Sequence, residues 1–325
     1  MTDAHTTRYE TFHSKGRWQG LPTKVADGAA PVSFEPVPGL EGAPDDAPDV
    51  LIFGVPNTGM MTGQPTNVML LGYVGDADRR LTLVDTGPND GFEALSEAFD
   101  NAGIDMARVE RIVLTHCHPD HVGSASAAQA ASGALVFAHP LEQEQVDRFG
   151  EGIEVSQWIE DGEMIACDGF ALRPILTPGH SPGHVCLVEP RTKALLAGDM
   201  MSGFGSVGIF PPNGSVRDYI ASLRRLLVEY ETTPFAAVCP GHGPVIADAR
   251  AKIAEYIEHR LQREEEIFAA VGDGHATLDD LVPVIYPDVN DNFARAARGT
   301  LIMHLRKLIE DGRVRSVDET TYTVT

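Results

Sequence analysis

The sequence Thr-His-Cys-His-Pro-Asp-His at residues 115–121 places three imidazoles and one carboxylate within six residues. It follows the apolar run Ile112–Leu114, which predicts a buried strand that ends at this motif. Neutral imidazole and carboxylate groups are the ligands that zinc and neighbouring transition metals prefer. A solvated polar turn often contains one histidine, but three histidines around an aspartate indicate a metal site.

The geometry of this motif divides its side chains between two positions. Alternation along an extended strand directs His116 and His118 to the same side. Pro119 ends the strand, and the turn that follows directs Asp120 and His121 toward a second position. Two candidate ligands at each of two positions indicate a pair of metal ions rather than one.

The composition is that of a globular protein with a strongly acidic surface. Of 325 residues, 43% are apolar and 22% are charged, and the net charge is −22. The electrostatic field of this negative charge repels phosphate backbones and anionic lipids, which argues against broad nucleic-acid binding and against a membrane partner. The four cysteines form no Cys-x-x-Cys pair, the first residues lack the apolar run of a signal peptide, and no apolar stretch reaches spanning length. We therefore expect a cytoplasmic protein.

Changes in composition and periodicity predict three regions. Residues 1–49 are rich in proline, glycine, alanine and aspartate, which predicts an N-terminal arm or linker. Residues 50–249 alternate apolar strands with helices, which predicts an α/β fold with a two-layered sheet sandwich covered by helices. Residues 250–325 predict three helices and the hairpin 313–324, the outline of a winged helix.

Polar residues that follow the predicted strands of region 50–249 complete the candidate site. They are Asp85, His116, His118, Asp120, His121, His180, Asp199 and His242. Their order and contexts resemble the metallo-β-lactamase superfamily of binuclear metallohydrolases. The stretches that carry the resemblance are Val84–Gly87 (VDTG), the motif at 115–121, Thr177–His180 (TPGH), Ala197–Asp199 (AGD) and Pro240–Gly243 (PGHG).

The resemblance implies an αββα sandwich for residues 50–249 and a complete ligand set for two metals. It assigns His116, His118 and His180 to the first metal, Asp120, His121 and His242 to the second, and Asp199 to both. It also implies that two further residues orient ligands without binding metal, Asp85 and His184. Two zinc ions per chain are the expected cofactors, and iron or manganese also suits these ligands.

The reaction implied by the resemblance is hydrolysis of a small ester, thioester or lactone. Two metal ions, which the resemblance implies at about 3.5 Å from each other, would lower the pKa of a shared water to roughly 7 and so supply a bridging hydroxide to attack the substrate carbonyl. Asp120 is the expected catalytic residue, because it would orient this nucleophile. The sequence names no group that protonates the leaving atom, which favours a good leaving group such as a thiolate. Four apolar residues of the glycine-rich loop after Asp199 are expected to wall the pocket: Met200, Met201, Phe204 and Phe210.

Departures from parts of the superfamily narrow the choice of reaction. Asp199 supplies a bridging carboxylate that true β-lactamases lack, and together with the missing secretion signal it argues against antibiotic hydrolysis. His118 stands where redox di-iron relatives have a glutamate, which argues against reduction of oxygen or nitric oxide. Hydrolytic dehalogenation and single-iron sulfur dioxygenation remain as remote alternatives.

The C-terminal region extends the resemblance to the β-lactamase-like protein 2 group, some of whose members cut single-stranded RNA. The resemblance rests on the stretch 256–264 (YIEHRLQRE) and the winged helix that follows. Residues 290–315 carry a local charge of +3, but residues 250–325 sum to −4, so the field of the protein opposes binding of nucleic acid. We expect a small-molecule substrate, with a single-stranded RNA endonuclease or nucleic-acid-binding protein as the alternative. The tail is expected to pack on the body, wall the pocket or form a homodimer contact.

Overall fold

The computed structural model describes residues 34–57, 64–287, 289, 291–318 and 320–325, with the backbone alone for 291–293. Most of the predicted arm, residues 1–33, therefore lies outside the described residues. The chain from Phe34 onward packs on the body, because the Phe34 ring lies 5.7 Å from Phe53 and 5.0 Å from Phe99 between centroids. This apolar contact holds the described part of the arm against the first sheet.

The first sheet contains seven strands in sequential order. They are β1 (Glu35–Pro36), β2 (Asp49–Val55), β3 (Thr66–Gly72), β4 (Leu81–Val84), β5 (Val109–Val113), β6 (Leu135–Ala138) and β7 (Val155–Trp158). Strands β1 to β4 pair antiparallel, and β4 to β7 pair parallel. The parallel strands therefore end at one edge, and the metal motif follows directly after β5.

The second sheet contains five strands in the order β12-β11-β10-β9-β8. Their bounds are β8 (Ile165–Ala166), β9 (Ala171–Leu176), β10 (Val185–Glu189), β11 (Ala194–Gly198) and β12 (Ala237–Pro240). Strands β11 and β12 pair parallel and the others pair antiparallel. The carboxyl ends of β11 and β12 deliver Asp199 and His242 side by side.

Eight α-helices of the described chain surround the sheets and form the C-terminal region. They are α1 (Phe92–Ala102), α2 (Pro119–Val122), α3 (Ala125–Ser132), α4 (Gln143–Phe149), α5 (Val216–Thr232), α6 (Ala249–Gly272), α7 (Leu278–Ile285) and α8 (Asp291–Glu310). The last three, with a hairpin of β13 (Val314–Ser316) and β14 (Tyr322–Val324), confirm the predicted winged-helix outline. The helix predicted from the metal motif onward consists of two pieces, α2 and α3, separated by Gly123 and Ser124.

The alternation of side chains along the strands explains how helices and sheets stack in four layers, helix, sheet, sheet and helix. On β3 every side chain is buried, and successive residues point to opposite faces. Val68 and Leu70 join the core beneath α1 and α3, whereas Met69 and Leu71 join the core between the two sheets. A third core lies between the second sheet and helices α5 and α6. The predicted αββα sandwich is confirmed.

The division of the chain at residue 249 stays a proposal, because α6 packs both against the predicted catalytic region and against the C-terminal helices. Its first half packs in the core of α5 and the second sheet through Ile253 and Tyr256. Its second half packs with α7 and α8 through Ile267 and Val271. None of the helices in the described residues is both long and apolar enough to cross a membrane.

Candidate metal centre

Three histidine nitrogens converge at the edge where the two sheets meet. The Nε2 atom of His116 lies 3.1 Å from Nδ1 of His118, and that atom lies 2.8 Å from Nε2 of His180. His116 and His118 follow β5 of the first sheet, and His180 lies in the loop between β9 and β10 of the second. These three atoms are close enough to share one cation.

A second group of donors lies beside the first. The Nε2 atom of His242 lies 3.2 Å from Oδ2 of Asp120, and Nε2 of His121 lies 4.0 Å from the same oxygen. Asp120 and His121 lie on the short helix α2, where Pro119 turns the chain away from the strand direction. This group is also close enough to hold a cation.

Asp199 lies between the two groups. Its Oδ1 is 3.5 Å from Nε2 of His121, and its Oδ2 is 3.5 Å from Nε2 of His180 and 3.6 Å from Nε2 of His242. One carboxylate thus faces donors of both groups, as a bridging ligand would. All seven sequence-predicted ligands are brought together in overlapping groups, the third of which consists of His116, His121 and Asp199. Their assignment to a first and a second metal stays a prediction.

Hydrogen bonds on the far side of the imidazole rings orient the ring nitrogens that face the site. Nδ1 of His180 lies 2.9 Å from the carbonyl oxygen of Gly208, and Nδ1 of His242 lies 3.0 Å from that of Pro65. Carbonyl oxygens only accept, so both Nδ1 atoms carry the hydrogen. The Nε2 lone pairs are therefore directed into the site, which is the tautomer that a metal ligand needs.

Two buried atoms of the site have no hydrogen-bond partner among the described residues, Nε2 of His121 and Oδ1 of Asp199. Buried polar atoms are rarely left unpaired, since each costs free energy when it is removed from water. Both atoms face the second donor group, and a divalent cation there would satisfy both. The nitrogen and oxygen donors fit zinc, and the residues present therefore fit the predicted cofactor.

Asp85 contacts the ring of His121, which supports the predicted orienting role. Its Oδ2 lies 2.8 Å from Nδ1 of His121, and its Oδ1 accepts the Thr115 amide hydrogen at 2.8 Å. Asp85 has a φ of 58°, which is uncommon for a residue other than glycine. The backbone holds this strained conformation where the carboxylate reaches the imidazole, consistent with a functional constraint.

His184 points neither ring nitrogen at the donor groups. Its Nε2 accepts the backbone N–H of Asp199 at 3.0 Å, and its Nδ1 lies 2.9 Å from Oγ1 of Thr177. Both nitrogens are therefore engaged, and the ring fixes the backbone that carries Asp199. This arrangement supports the predicted orienting role.

Two residues at the site gave no signal in the sequence. Glu142 is fully buried, and its two oxygens accept the backbone hydrogens of Cys117 at 3.0 Å and Gly183 at 2.7 Å. It thereby joins the loop of the metal motif to the loop of His180. Asn57 donates to Oδ2 of Asp120 at 3.2 Å. Neither lies in a recognisable motif, because both act across distant parts of the chain.

Gly241 allows the second sheet to approach the first. A Cβ atom at this position would lie 2.3 Å from Oδ1 of Asp199 and 2.8 Å from Cε1 of His121. Position 241 therefore has no room for a side chain. Any side chain here would displace the carboxylate that links the two donor groups.

Burial and neighbouring charges make the two donor groups electrostatically different. Burial, followed by repulsion from His118, lowers the pKa of His180 to about 3. Burial also disfavours the charged form of His242, but the Asp199 carboxylate and the hydrogen bond to Asp120 outweigh it and raise the pKa of His242 to about 10. The carboxylate-rich group thus attracts positive charge strongly, either as protons or as metal cations.

The donors form the floor of a cavity of about 410 Å³. Phe204 and Phe210 line this cavity, as predicted. Met200 and Met201 do not, because both are buried in the core beneath α5 and α6. Further lining residues come from the C-terminal helical region, among them seven of α6 to α8: His259, Arg260, Arg263, Ile285, Ala296, Ala297 and Thr300.

Comparisons with known proteins agree with this geometry. A family model described as the Metallo-beta-lactamase superfamily matches residues 61–242, and one described as the Beta-lactamase associated winged helix domain matches residues 277–321. A Beta-lactamase-like protein 2 homolog from Caenorhabditis elegans is 32% identical over 263 residues, which cover 80% of this chain and 84% of that one.

Two further relatives extend the comparison. An Atrochrysone carboxyl ACP thioesterase from Claviceps purpurea is 29% identical, with 86% of each chain covered. The crystal structure of a metallo-beta-lactamase family protein from Thermus thermophilus superposes with a TM-score of 0.68 at 26% identity. That match covers 85% of this chain and 98% of the other.

Proposed function

This chain belongs to the metallo-beta-lactamase superfamily of hydrolases and carries a C-terminal winged-helix domain, and from that premise we propose a binuclear metal-dependent hydrolase that cleaves a small thioester or ester. Lactones belong to the same class of carbonyl substrate. Zinc is the proposed metal, with iron and manganese as the alternatives that the same ligands accept.

The convergence of the two donor groups at the floor of the cavity carries this proposal. Each group can hold one cation, and Asp199 faces both. Two cations there would supply hydroxide at neutral pH and polarise a carbonyl oxygen. The cavity size lies within the range of small-molecule sites, which is roughly 300–1,000 Å³.

Neighbouring residues fix the position and the charge of Asp120, the proposed catalytic residue. Asp120 is fixed by the Asn57 amide and by His242, so its carboxylate has a defined direction toward the reacting position. Its pKa is about 2, because His121 and the hydrogen bond from His242 outweigh the opposing effect of burial. Asp120 therefore stays ionised at neutral pH, and its carboxylate can accept a hydrogen bond that orients a nucleophile.

The groups around the cavity favour a substrate with a good leaving group. Burial and the nearby Arg260 lower the pKa of His259 to about 3, and burial raises the pKa of Tyr286. Neither residue is suited to protonate a leaving atom near neutral pH. A thiolate needs no such proton, and the named activity of the fungal thioesterase relative points in the same direction.

Metal analysis combined with hydrolase assays tests the proposal. The purified protein is expected to contain two transition-metal ions per chain and to hydrolyse members of a panel of thioesters, aryl esters and lactones. Asp120→Asn is expected to lose at least about 100-fold in kcat/KM, whereas Asp100→Asn, at an exposed position on α1, is the matched control. A fully metal-loaded protein that cleaves no panel member would contradict the proposal.

RNA cleavage has less support. The region that would guide RNA forms one wall of the cavity and carries net negative charge. Incubation with single-stranded RNA at low salt tests it, through a gel shift and a cleavage assay, and binding there would favour the nucleic-acid alternative. A cytoplasmic location and a homodimer also stay proposals, to be checked by cell fractionation and light scattering.

A further inference from the structure

A buried guanidinium group of the C-terminal helical region lines the same cavity as the metal donors. Arg260 on α6 is 2% exposed and lines the cavity. Within the described chain it pairs with no carboxylate. Its Nη2 donates to the Val207 carbonyl, its Nε has no hydrogen-bond partner, and its Cζ lies 5.1 Å from the centre of the Tyr219 ring.

The buried carboxylate nearest in sequence does not neutralise Arg260. Glu264 lies one turn further along α6, and its oxygens pair with Lys307 at 2.7 Å and with Arg313 at 3.3 Å. Arg263 also lines the cavity, but it has Glu266 at 3.3 Å. Arg260 is therefore left with neutral partners, and burying such a charge is costly unless a counter-charge reaches it.

The charge around the cavity differs from the charge of the whole protein. Among the described lining residues the carboxylates are Asp120 and Asp199, both candidate metal ligands, and the guanidinium groups belong to Arg148, Arg260 and Arg263. Two divalent cations would more than neutralise the two carboxylates. Within an acidic chain with a net charge of −22, the described lining of this cavity thus has three guanidinium groups against two carboxylates, a balance that favours anions.

We propose that Arg260 binds an anionic oxygen group of the substrate, a carboxylate or a phosphate, while the scissile carbonyl lies at the metal donors. This inference rests on the proposed hydrolase function and adds the chemical class of the substrate. The guanidinium supplies several N–H donors in a planar array that matches carboxylate and phosphate oxygens. The anion completes the pairing that no carboxylate of the described residues provides.

Matched pairs of substrates test this inference and locate the anion. In the first pair, glutaryl and pentanoyl thioesters of N-acetylcysteamine differ by a carboxylate on the acyl chain. In the second pair, butyryl thioesters of 4′-phosphopantetheine and pantetheine differ by a phosphate on the leaving thiol. The metal-loaded protein is expected to prefer the charged member of one pair by about 10- to 100-fold in kcat/KM.

Variants of α6 separate recognition from a structural role. Arg260→Gln is expected to bring the preference close to 1, and Arg260→Lys to keep part of it, because lysine retains the charge without the planar array. Arg250→Gln, on the same helix with 60% of the arginine side chain exposed, is the control expected to keep the wild-type ratio. A structural role alone would lower the melting temperature of the Arg260 variants and leave the ratio unchanged.

The outcomes distinguish failure of this inference from failure of the proposed function. If the protein hydrolyses both pairs with ratios near 1, or if Arg260→Gln and Arg260→Lys keep the wild-type ratio, the inference is wrong. If no thioester is cleaved, calorimetric titration of the metal-loaded protein with glutarate and with inorganic phosphate tests Arg260 directly. Binding of one anion that weakens at least about 10-fold in the variants supports it, and unchanged or absent binding overturns it. If Arg260→Gln does not fold, the substrate preference of the wild-type protein and that of Arg260→Lys decide whether the inference holds.

Discussion

Replacing Gly241 with alanine tests whether the approach of the two sheets sets the geometry of the metal centre. The new Cβ would lie 2.3 Å from Oδ1 of Asp199, whereas ordinary contacts begin at 3.4 Å. The carboxylate or the strand must therefore move by roughly 1 Å. The His121 ring, 2.8 Å from the same point, blocks movement in its direction.

A shift of this size is large for a metal ligand. Ligand distances tolerate changes of about 0.2 Å, and misplacement by about 1 Å in an active site can cost about 100-fold in rate. We therefore expect Gly241→Ala to lose at least one metal ion per chain, to lose about 100-fold or more in kcat/KM, or both. The overall fold is expected to persist, since the clash is confined to the site.

The assay combines metal stoichiometry by mass spectrometry, thioester turnover and thermal melting. Gly75→Ala is the matched control, because an added Cβ there has no neighbour within 4 Å. It is expected to keep metal content, turnover and melting temperature. A Gly241→Ala protein with two metal ions and turnover within about threefold of wild type would refute the reasoning that Asp199 links the two donor groups.

Three further predictions concern residues around the donors. Glu142→Gln places an amide donor against one of two backbone N–H groups and is expected to lower the free energy of unfolding by about 1–3 kcal/mol in denaturant melts. The exposed Glu144→Gln is its control, and equal stability of the two variants would contradict the prediction. His184→Asn is expected to keep two metal ions and lose about 10- to 100-fold in activity, whereas His180→Asn loses a metal ion; elemental analysis that finds the opposite pattern would reverse the assignment. In metal-free protein the pKa of His242 is about 10, raised because nearby carboxylates outweigh burial and above its unfolded value of about 6.5. Its contribution to stability is therefore full below pH 6.5 or so and is lost as the pH rises through about 10; melts of chelator-treated protein that show no such loss relative to metal-loaded protein would disprove it.

Much of the fold and of the donor set was predictable because both depend on local patterns. Buried strands are apolar runs, so the strands that end before Asp85, Asp199 and His242 could be placed to within a few residues. Polar residues that follow the carboxyl ends of neighbouring parallel strands lie together at one edge of the sheet. The motif at 115–121 added the strongest signal, since its ligands are adjacent in sequence.

Contacts between remote segments were not predictable from the sequence. Glu142 lies in a stretch, 141–168, whose pattern gave no clear element, yet it joins two site loops through backbone amides. Arg260 lies on a helix whose charged sequence is typical of an exposed surface, and only packing against Tyr219 and Val207 shows that it is buried. Met200 and Met201 were assigned to the pocket because they follow Asp199, but apolar burial against α5 and α6 places them in the core.

The residues that line the cavity come from two parts of the chain, one that carries the candidate metal ligands and one that begins with α6. The candidate metal ligands extend from His116 to His242, whereas two of the three guanidinium groups that line the cavity, Arg260 and Arg263, lie on α6. From the proposed role of Arg260, we expect substitutions in the last quarter of the sequence to change the substrate preference without replacing a candidate metal ligand. A chain cut short before α6 would keep every candidate metal ligand but would lose Arg260, Arg263 and the part of the core that α6 forms with α5.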